Sequence, residues 1–466
     1  MDINALRQQV AAHITDRPVV LIGADLDRFA QHLHELRSMH AQKVLIVTSG
    51  VGAGPLPDLS GFNVEFVDIP TLDGEAHAET GWREVMRQPP ASLARALDAF
   101  DPHHEAAIIP WRFRTDQRIG DRAFYGPRLA SAVALEDKTV IGSFLRELRI
   151  PEPPGAVSVA ATAGDLLGAA RRLDRGDGTV WSGDASQATN SGAKYVRWVR
   201  TAEEATDAIA FFGRHCHQVR IAPFLEGIPC GMHAFVHRSG VAVFRPVELL
   251  IMRSASGSGF VDAGFATTFD PSPEDAAAYR DLVARIGNGL WKSIGYEGAL
   301  SVDAILTRDG WMVHDINPRQ GGGLIYVQTA LPDLPIHLLH HVAAAGDLRD
   351  FDAPAFGALV RDAADRQRVV AAAYAVPSGP LQSSSMMLEP VPGQLVRASY
   401  RPRVSGGGKV HVTIAPNPGP PVAPLVARVA TRVQARLGVG VELAAARQVR
   451  AGRAPALAGG VPIEAQ

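Results

Sequence analysis

The sequence predicts an α/β protein whose central part is α+β. Three observations predict it. In the first 125 residues, short apolar runs alternate with helical patterns. Between 221 and 330, strand-like runs follow one another, broken by a single helix. Beyond 350 the chain becomes richer in Pro, Gly and Ser. Strand–helix alternation favours a doubly wound, mostly parallel sheet, whereas consecutive strands favour an antiparallel one.

Val19-Val20-Leu21-Ile22, Lys43-Val44-Leu45-Ile46-Val47, the segment 64–69 and Ala106-Ala107-Ile108-Ile109 are the strands expected in a first domain, 1–125, with a helix over 25–39. A helix over 135–147 opens the next unit, 126–220, and is stopped by Pro151, Pro153 and Pro154. Proline lacks an amide donor and restricts the residue before it. In the third unit, 221–350, strands are expected at 232–237, 241–244, 299–306 and 311–316, with a helix at 273–294. A C-terminal α/β appendix, 351–466, carries a strand at 409–414, a helix at 422–437 and a frayed tail from about 450.

Composition sets several classes aside. Lys plus Arg number 46 and Asp plus Glu 48, for a formal charge of −2 over 466 residues. No basic excess marks a nucleic-acid binder. Cys216 and Cys230, the only cysteines, cannot build a disulfide framework, which points to a reducing, cytoplasmic setting. No secretory signal is visible at the N-terminus, and no apolar run reaches the roughly 18 residues that span a bilayer. Small molecules are therefore the expected partners, with a homo-oligomer left open.

The segment with the most chemistry is 301–319. Two strands flank an Asp309-Gly310 turn, a pair that suits a hairpin. Asp315 and Asn317 are two residues apart, so their side chains leave one face of a strand, and Asp303 can share that face from the neighbouring strand. Two carboxylates and an amide oxygen form a hard oxygen site of the kind Mg2+ takes together with phosphate oxygens and waters. Arg319 follows, and its guanidinium can fork onto carboxylate or phosphate oxygens. The glycines Gly321, Gly322 and Gly323 let the backbone approach a ligand and present N–H groups to an anion. Arg245, Glu248 and Arg253, in the strand-rich stretch before the helix, are candidate substrate contacts, with Arg253 opening a Ser- and Gly-rich loop. His233 reads as a satisfied core histidine.

Asp303, with Asp315-Ile316-Asn317-Pro318-Arg319, resembles the metal signature of the ATP-grasp superfamily, in which an acidic residue precedes Glu-x-Asn-Pro-Arg. Glu136-Asp137-Lys138, the helix after it and Ile150-Pro151-Glu152-Pro153 resemble the family's Asp-Lys segment, where the lysine contacts nucleotide phosphates. Phe224-Leu225-Glu226-Gly227 resembles the hinge that lines the adenine. The resemblance covers residues 105–345. It implies an ATP-grasp architecture: 1–125 the preceding domain, 126–220 the small lid subdomain, 221–350 the nucleotide and metal subdomain. It also implies ATP and Mg2+ as cofactors, with Mn2+ as a substitute.

The resemblance assigns Asp303, Asp315 and Asn317 to the metal, and Lys138, Phe224, Leu225 and Glu226 to the nucleotide. Arg319, with Arg245 or Arg253, would act in catalysis, and Arg245, Glu248, Arg253, Gly322 and Gly323 would meet substrate. Asp315 stands where the family usually has Glu, and no lysine occupies the strand 179–184, so Lys194 is the expected substitute. The implied activity is carboxylate–amine ligation through an acyl phosphate, between amino acids or short peptides, in the manner of secondary-metabolic ligases. Two alternatives stand beside it: a nucleotide-binding regulator without turnover, and an ATP-grasp enzyme with a non-amine acceptor.

Overall fold

The computed structural model describes residues 2–52, 54, 56–68, 75–111, 117–184, 193–254, 259–376, 382–391, 394–402, 408–414, 422–437 and 443–444. Part of the Ser- and Gly-rich loop opened by Arg253, and the tail from 450, lie outside them.

Strands β1 (Val19–Asp25), β2 (Val44–Gly50), β3 (Asn63–Phe66) and β4 (Ala107–Pro110) form a parallel sheet in the order β3-β2-β1-β4. The runs Val19–Ile22 and Val44–Val47 are buried on both faces, as a doubly covered parallel sheet requires. The expected helix at 25–39 is a 3-10 turn, Leu26–Phe29, running into an α-helix, Ala30–Ser38. A short hairpin follows, β5 (Arg118–Ile119) and β6 (Arg122–Ala123). Of the helix expected at 135–147 only Ile141–Glu147 forms, with a separate short helix, Ala130–Ala134, ahead of it. Asp137 explains the break: its carboxylate accepts from the Thr139 N–H at 2.8 Å and the Thr139 hydroxyl at 2.7 Å, a turn that competes with the helix.

The next four strands, β7 (Val157–Ala160), β8 (Thr179–Gly183), β9 (Val196–Val199) and β10 (Gln218–Pro223), make an antiparallel sheet in the order β7-β10-β8-β9. Trp181, Val219 and Ile221 pack from it onto the helices Ala163–Leu173 and Ala202–His215. Alternation puts Arg220 and its register partners Ser158 and Ser182 on the other face.

A large antiparallel sheet completes the chain. Its strands are β11 (Ile228–His237), β12 (Gly240–Ser254), β13 (Phe260–Ala266), β14 (Gly298–Thr307), β15 (Gly310–Asn317), β16 (Val370–Val376), β17 (Ser384–Val391), β18 (Gln394–Pro402) and β19 (Gly408–Ile414), in the order β15-β14-β11-β12-β13-β16-β19-β18-β17, with β20 (Leu443–Ala444) beside β12. The helix Pro273–Ile294 lies across β11 and β12 and has the expected bounds. Ser272 caps it, a proline starts it and Gly295, at φ 64°, ends it. The strands beyond 350 extend this sheet rather than forming one of their own: β16 pairs with β13 through Phe265 and Ala371. No helix is long and apolar enough to cross a membrane among the described residues.

The first sheet's helix Ala30–Ser38 is fastened to the helix Ile336–Ala344. Glu35, buried there, accepts from the amides of His337 (3.0 Å) and Leu338 (2.9 Å) and pairs with His337 Nδ1 at 2.7 Å. His32, His340 and His341 are buried around it, and burial holds all three below the usual histidine range, His341 down to about 4. The unfolded chain therefore takes up the proton first. This contribution to stability is complete above about pH 6.5 and is lost as pH falls towards 4, costing about 1 kcal/mol for a histidine like His341 at pH 5.5. The melting temperature is expected to drop between pH 7.5 and 5.5, and His341→Gln to flatten that drop; identical slopes for both proteins would contradict it.

Candidate functional site

The β14–β15 hairpin places two carboxylates face to face. Thr307 pairs with Gly310, which turns at φ 108°, and the register carries Asp303 opposite Asp315 and Ser301 opposite Asn317. A bulge at His314 shifts the pairing between Asp303 and Ala304. Bulges re-aim the side chains beside them. Lys138 Nζ reaches Asp315 Oδ2 at 2.8 Å from the turn built by Asp137. Asp315 Oδ1 is buried and has no hydrogen-bond partner. Burial and the charge of Asp315 raise the Asp303 carboxyl, which among the described residues accepts from Ser301 Oγ alone, at 3.2 Å. Burial pushes Asp315 the same way, but Lys138, by charge and hydrogen bond, outweighs it and holds that carboxyl low.

Asn317 and Arg319 extend the site. Arg319 Nη2 donates to Asn317 Oδ1 at 2.9 Å, and Arg319 Nε lies 3.2 Å from Glu136 Oε1, which also receives Arg128. The glycine loop then closes over His233. A Cβ on Gly321 would stand 2.8 Å from His233 Nε2, and one on Gly323 2.4 Å from its Cε1, whereas Gly322 has open space. His233 is not the satisfied core histidine expected: it is 3% exposed, its Nδ1 has no partner, and burial and the Arg319 charge hold it down to about 4.

The segment expected as a hinge, Phe224–Gly227, follows β10 directly. Phe224 follows β10, donates its N–H to Gly178 O at 3.1 Å and stacks on Trp198 of β9 at 4.4 Å. Arg253 pairs with Glu226 at 2.5 Å and lies 4.9 Å from the Phe224 ring. Leu225 lies between Phe224 and Glu226 in the chain. Lys194 lies ahead of β9, with Nζ 5.9 Å from the Tyr195 ring.

No profile of a known family matches the sequence, and no curated protein does. Solved structures do. One is an L-amino acid ligase from Bacillus licheniformis, with TM-score 0.53 and 15% identity over 85% of this chain and 93% of that one. Another is the biotin carboxylase domain of the Hydrogenobacter thermophilus 2-oxoglutarate carboxylase, with TM-score 0.54 and 12% identity over 91% of each chain. The chain has the ATP-grasp fold.

Within the ATP-grasp fold, two expected contacts lie elsewhere. Arg245 is buried, with Asp270 at 2.7 Å and Asp365 also on its guanidinium, which donates besides to Phe269 O. Two carboxylates on it leave its charge matched within the protein. Glu248 spends both oxygens on backbone amides, accepting from Val422 at 2.8 Å and Ala423 at 2.9 Å at the start of the helix Ala423–Leu437. The structure does not bring either side chain to the Asp303–Asp315 pair. Glu136 and His314, conversely, join the site without having been singled out. Adjacency to Asp137-Lys138 was the available signal for Glu136, and nothing local marks a bulge at His314.

Among the described residues no cluster of three or more His, Cys, Asp or Glu side chains is arranged to hold a metal ion. Two facing carboxylates and Asn317 still fit Mg2+, which completes its shell with phosphate oxygens and water. The orphaned Asp315 Oδ1 is the atom that would gain most. The loop geometry makes a further expectation. Gly323→Ala forces a contact with the His233 ring and should lower stability by about 1–3 kcal/mol. Gly322→Ala should melt close to wild type, and equal melting temperatures for the two variants would contradict the packing described.

Proposed function

We propose that the chain is an ATP- and Mg2+-dependent carboxylate–amine ligase that forms ADP. The observation that carries this reading is the facing pair Asp303–Asp315, with Lys138 on one carboxylate and Asn317–Arg319 alongside, in an ATP-grasp fold. Mg2+, held by Asp303, Asp315 and Asn317, would supply charge neutralisation for the transferring phosphate. Lys138 would bind the phosphates. Phe224, Leu225 and Glu226 would line the base, with Arg253 fixing Glu226. Arg319, oriented by Glu136 and Asn317, would steady the substrate carboxylate as its oxygen attacks the γ-phosphate. The backbone N–H groups of Gly322 and Gly323 would hold that carboxylate. An amine then displaces phosphate from the acyl phosphate to give the amide. Catalysis of this kind is positioning and charge neutralisation, with no side-chain nucleophile required.

The substrates we propose are amino acids or short peptides. Support comes from the amino acid ligase that shares the fold. The test is phosphate release from ATP with paired amino acids. One ADP and one phosphate per amide are expected; AMP and pyrophosphate would overturn the reading. Thermal stabilisation by ATP with no phosphate release would instead favour a nucleotide-binding regulator.

Asp315→Asn and Lys138→Ala should each cut turnover by at least about 100-fold without loss of fold, because each removes charge beside the transferring phosphate. Lys194→Ala should raise the ATP requirement. Wild-type kinetics for Asp315→Asn at saturating Mg2+ would remove the metal assignment.

A further inference from the structure

A bound nucleoside triphosphate brings about four negative charges, of which one Mg2+ offsets two, so a closed site needs protein cations on more than one side. Lys138 supplies one, and it leaves with its own counter-charge, Asp315. Strand β8, beside β10 in the small antiparallel sheet, reads Thr179-Val180-Trp181-Ser182-Gly183 and holds no cation. Its neighbour β10 does. Arg220 lies directly across from Ser182 in the register, on the face of the sheet turned away from the two covering helices.

The strand register places Arg220 close to Lys138. Ser158, its partner on the other flank, donates from Oγ to Thr139 O at 2.6 Å, one residue past Lys138. Arg220 is also only 6% exposed, so its charge acts in a poorly screened place. Its carboxylate partner, Glu152, sits at 2.7 Å and also serves Arg146 at 2.9 Å. Two guanidiniums on one carboxylate leave this trio with net positive charge. Glu152 belongs to the same Pro-rich segment whose Pro151 carbonyl accepts from the Val313 amide at 2.9 Å, which ties the trio to β15.

Resting on the nucleotide reading above, we infer that Arg220 is a phosphate-binding residue of the nucleotide site, held by Glu152 in the position that a cation rooted at Ser182 would also reach. Side chains directly opposite each other on antiparallel strands have Cβ atoms about 5 Å apart, so a lysine at 182 can place its ammonium where the guanidinium now lies.

The test is calorimetric binding of Mg-ATP and of Mg-tripolyphosphate, with a ligand-free melt on every variant. Arg220→Met should weaken both ligands by about tenfold or more, the loss of one charge-assisted contact. Arg220→Lys should keep most of the affinity. The pair Ser182→Lys with Arg220→Ser, which moves the cation one strand over, should recover most of what Arg220→Met loses. A structural ion pair would instead show as a lowered melting temperature, with affinity unchanged or not restored by either cationic variant. That result, or affinities of Arg220→Met within about twofold of wild type, would overturn the inference. Failure of the wild-type chain to bind either ligand would be recognised separately, because it removes the nucleotide reading itself.

Discussion

Two carboxylates opposite each other on paired strands repel, and the centre of this molecule is arranged around that repulsion. Asp303 and Asp315 meet because the β14–β15 hairpin fixes their register. Lys138 settles one of them at 2.8 Å. The other keeps a raised carboxyl with a single serine donor among the described residues. A buried, half-answered pair of this kind is costly unless a cation completes it. The surrounding charges follow from the same constraint. Arg319 is clamped by Glu136 and Asn317 close by, and the trio of Arg146, Glu152 and Arg220 adds positive charge from the side of the β7–β10 sheet.

Buried carboxylates also join the parts of the chain. Glu35 takes two amides at the start of the helix Ile336–Ala344, and Glu248 takes two at the start of the helix Ala423–Leu437. Helix N-termini hold unpaired N–H groups and a partial positive charge, so each carboxylate satisfies orphan donors where the dipole favours it. One junction ties the parallel sheet's helix layer to the central region, and the other ties the C-terminal helix to β12. Burial pushes Glu248 up to about 7 despite those two amides, so this second junction is under electrostatic tension near neutral pH.

Local features of this fold were legible in the sequence, and long-range ones were not. The helix at 273–294 was written in its cap, its leading proline and its terminal glycine. The hairpin was written in Asp309-Gly310 and in the alternation that put Asp315 and Asn317 on one face. The resemblance to the ATP-grasp signature carried Lys138 to the same place, and the structure joins it to Asp315. Arg245 and Glu248 show the limit. Their strand was recognisable, but their partners arrive from Asp365, 120 residues away, and from Val422, 174 residues away. Neither spacing nor composition reports such pairings. The same holds for Arg220, which only the strand register sets beside Ser182, and for His233, whose lost partner is visible only once the glycine loop is folded over it.

On the proposed reading, Asp303, Asp315 and Asn317 complete a metal site only together with nucleotide phosphates. Electron paramagnetic resonance of Mn2+, used in place of Mg2+, tests this most directly. Weak Mn2+ binding to the chain alone is expected, and a tight complex with altered spectrum once ATP is added, lost again in Asp303→Asn. A Mn2+–ATP spectrum unchanged by the protein, or a complex that survives in Asp303→Asn, would contradict it.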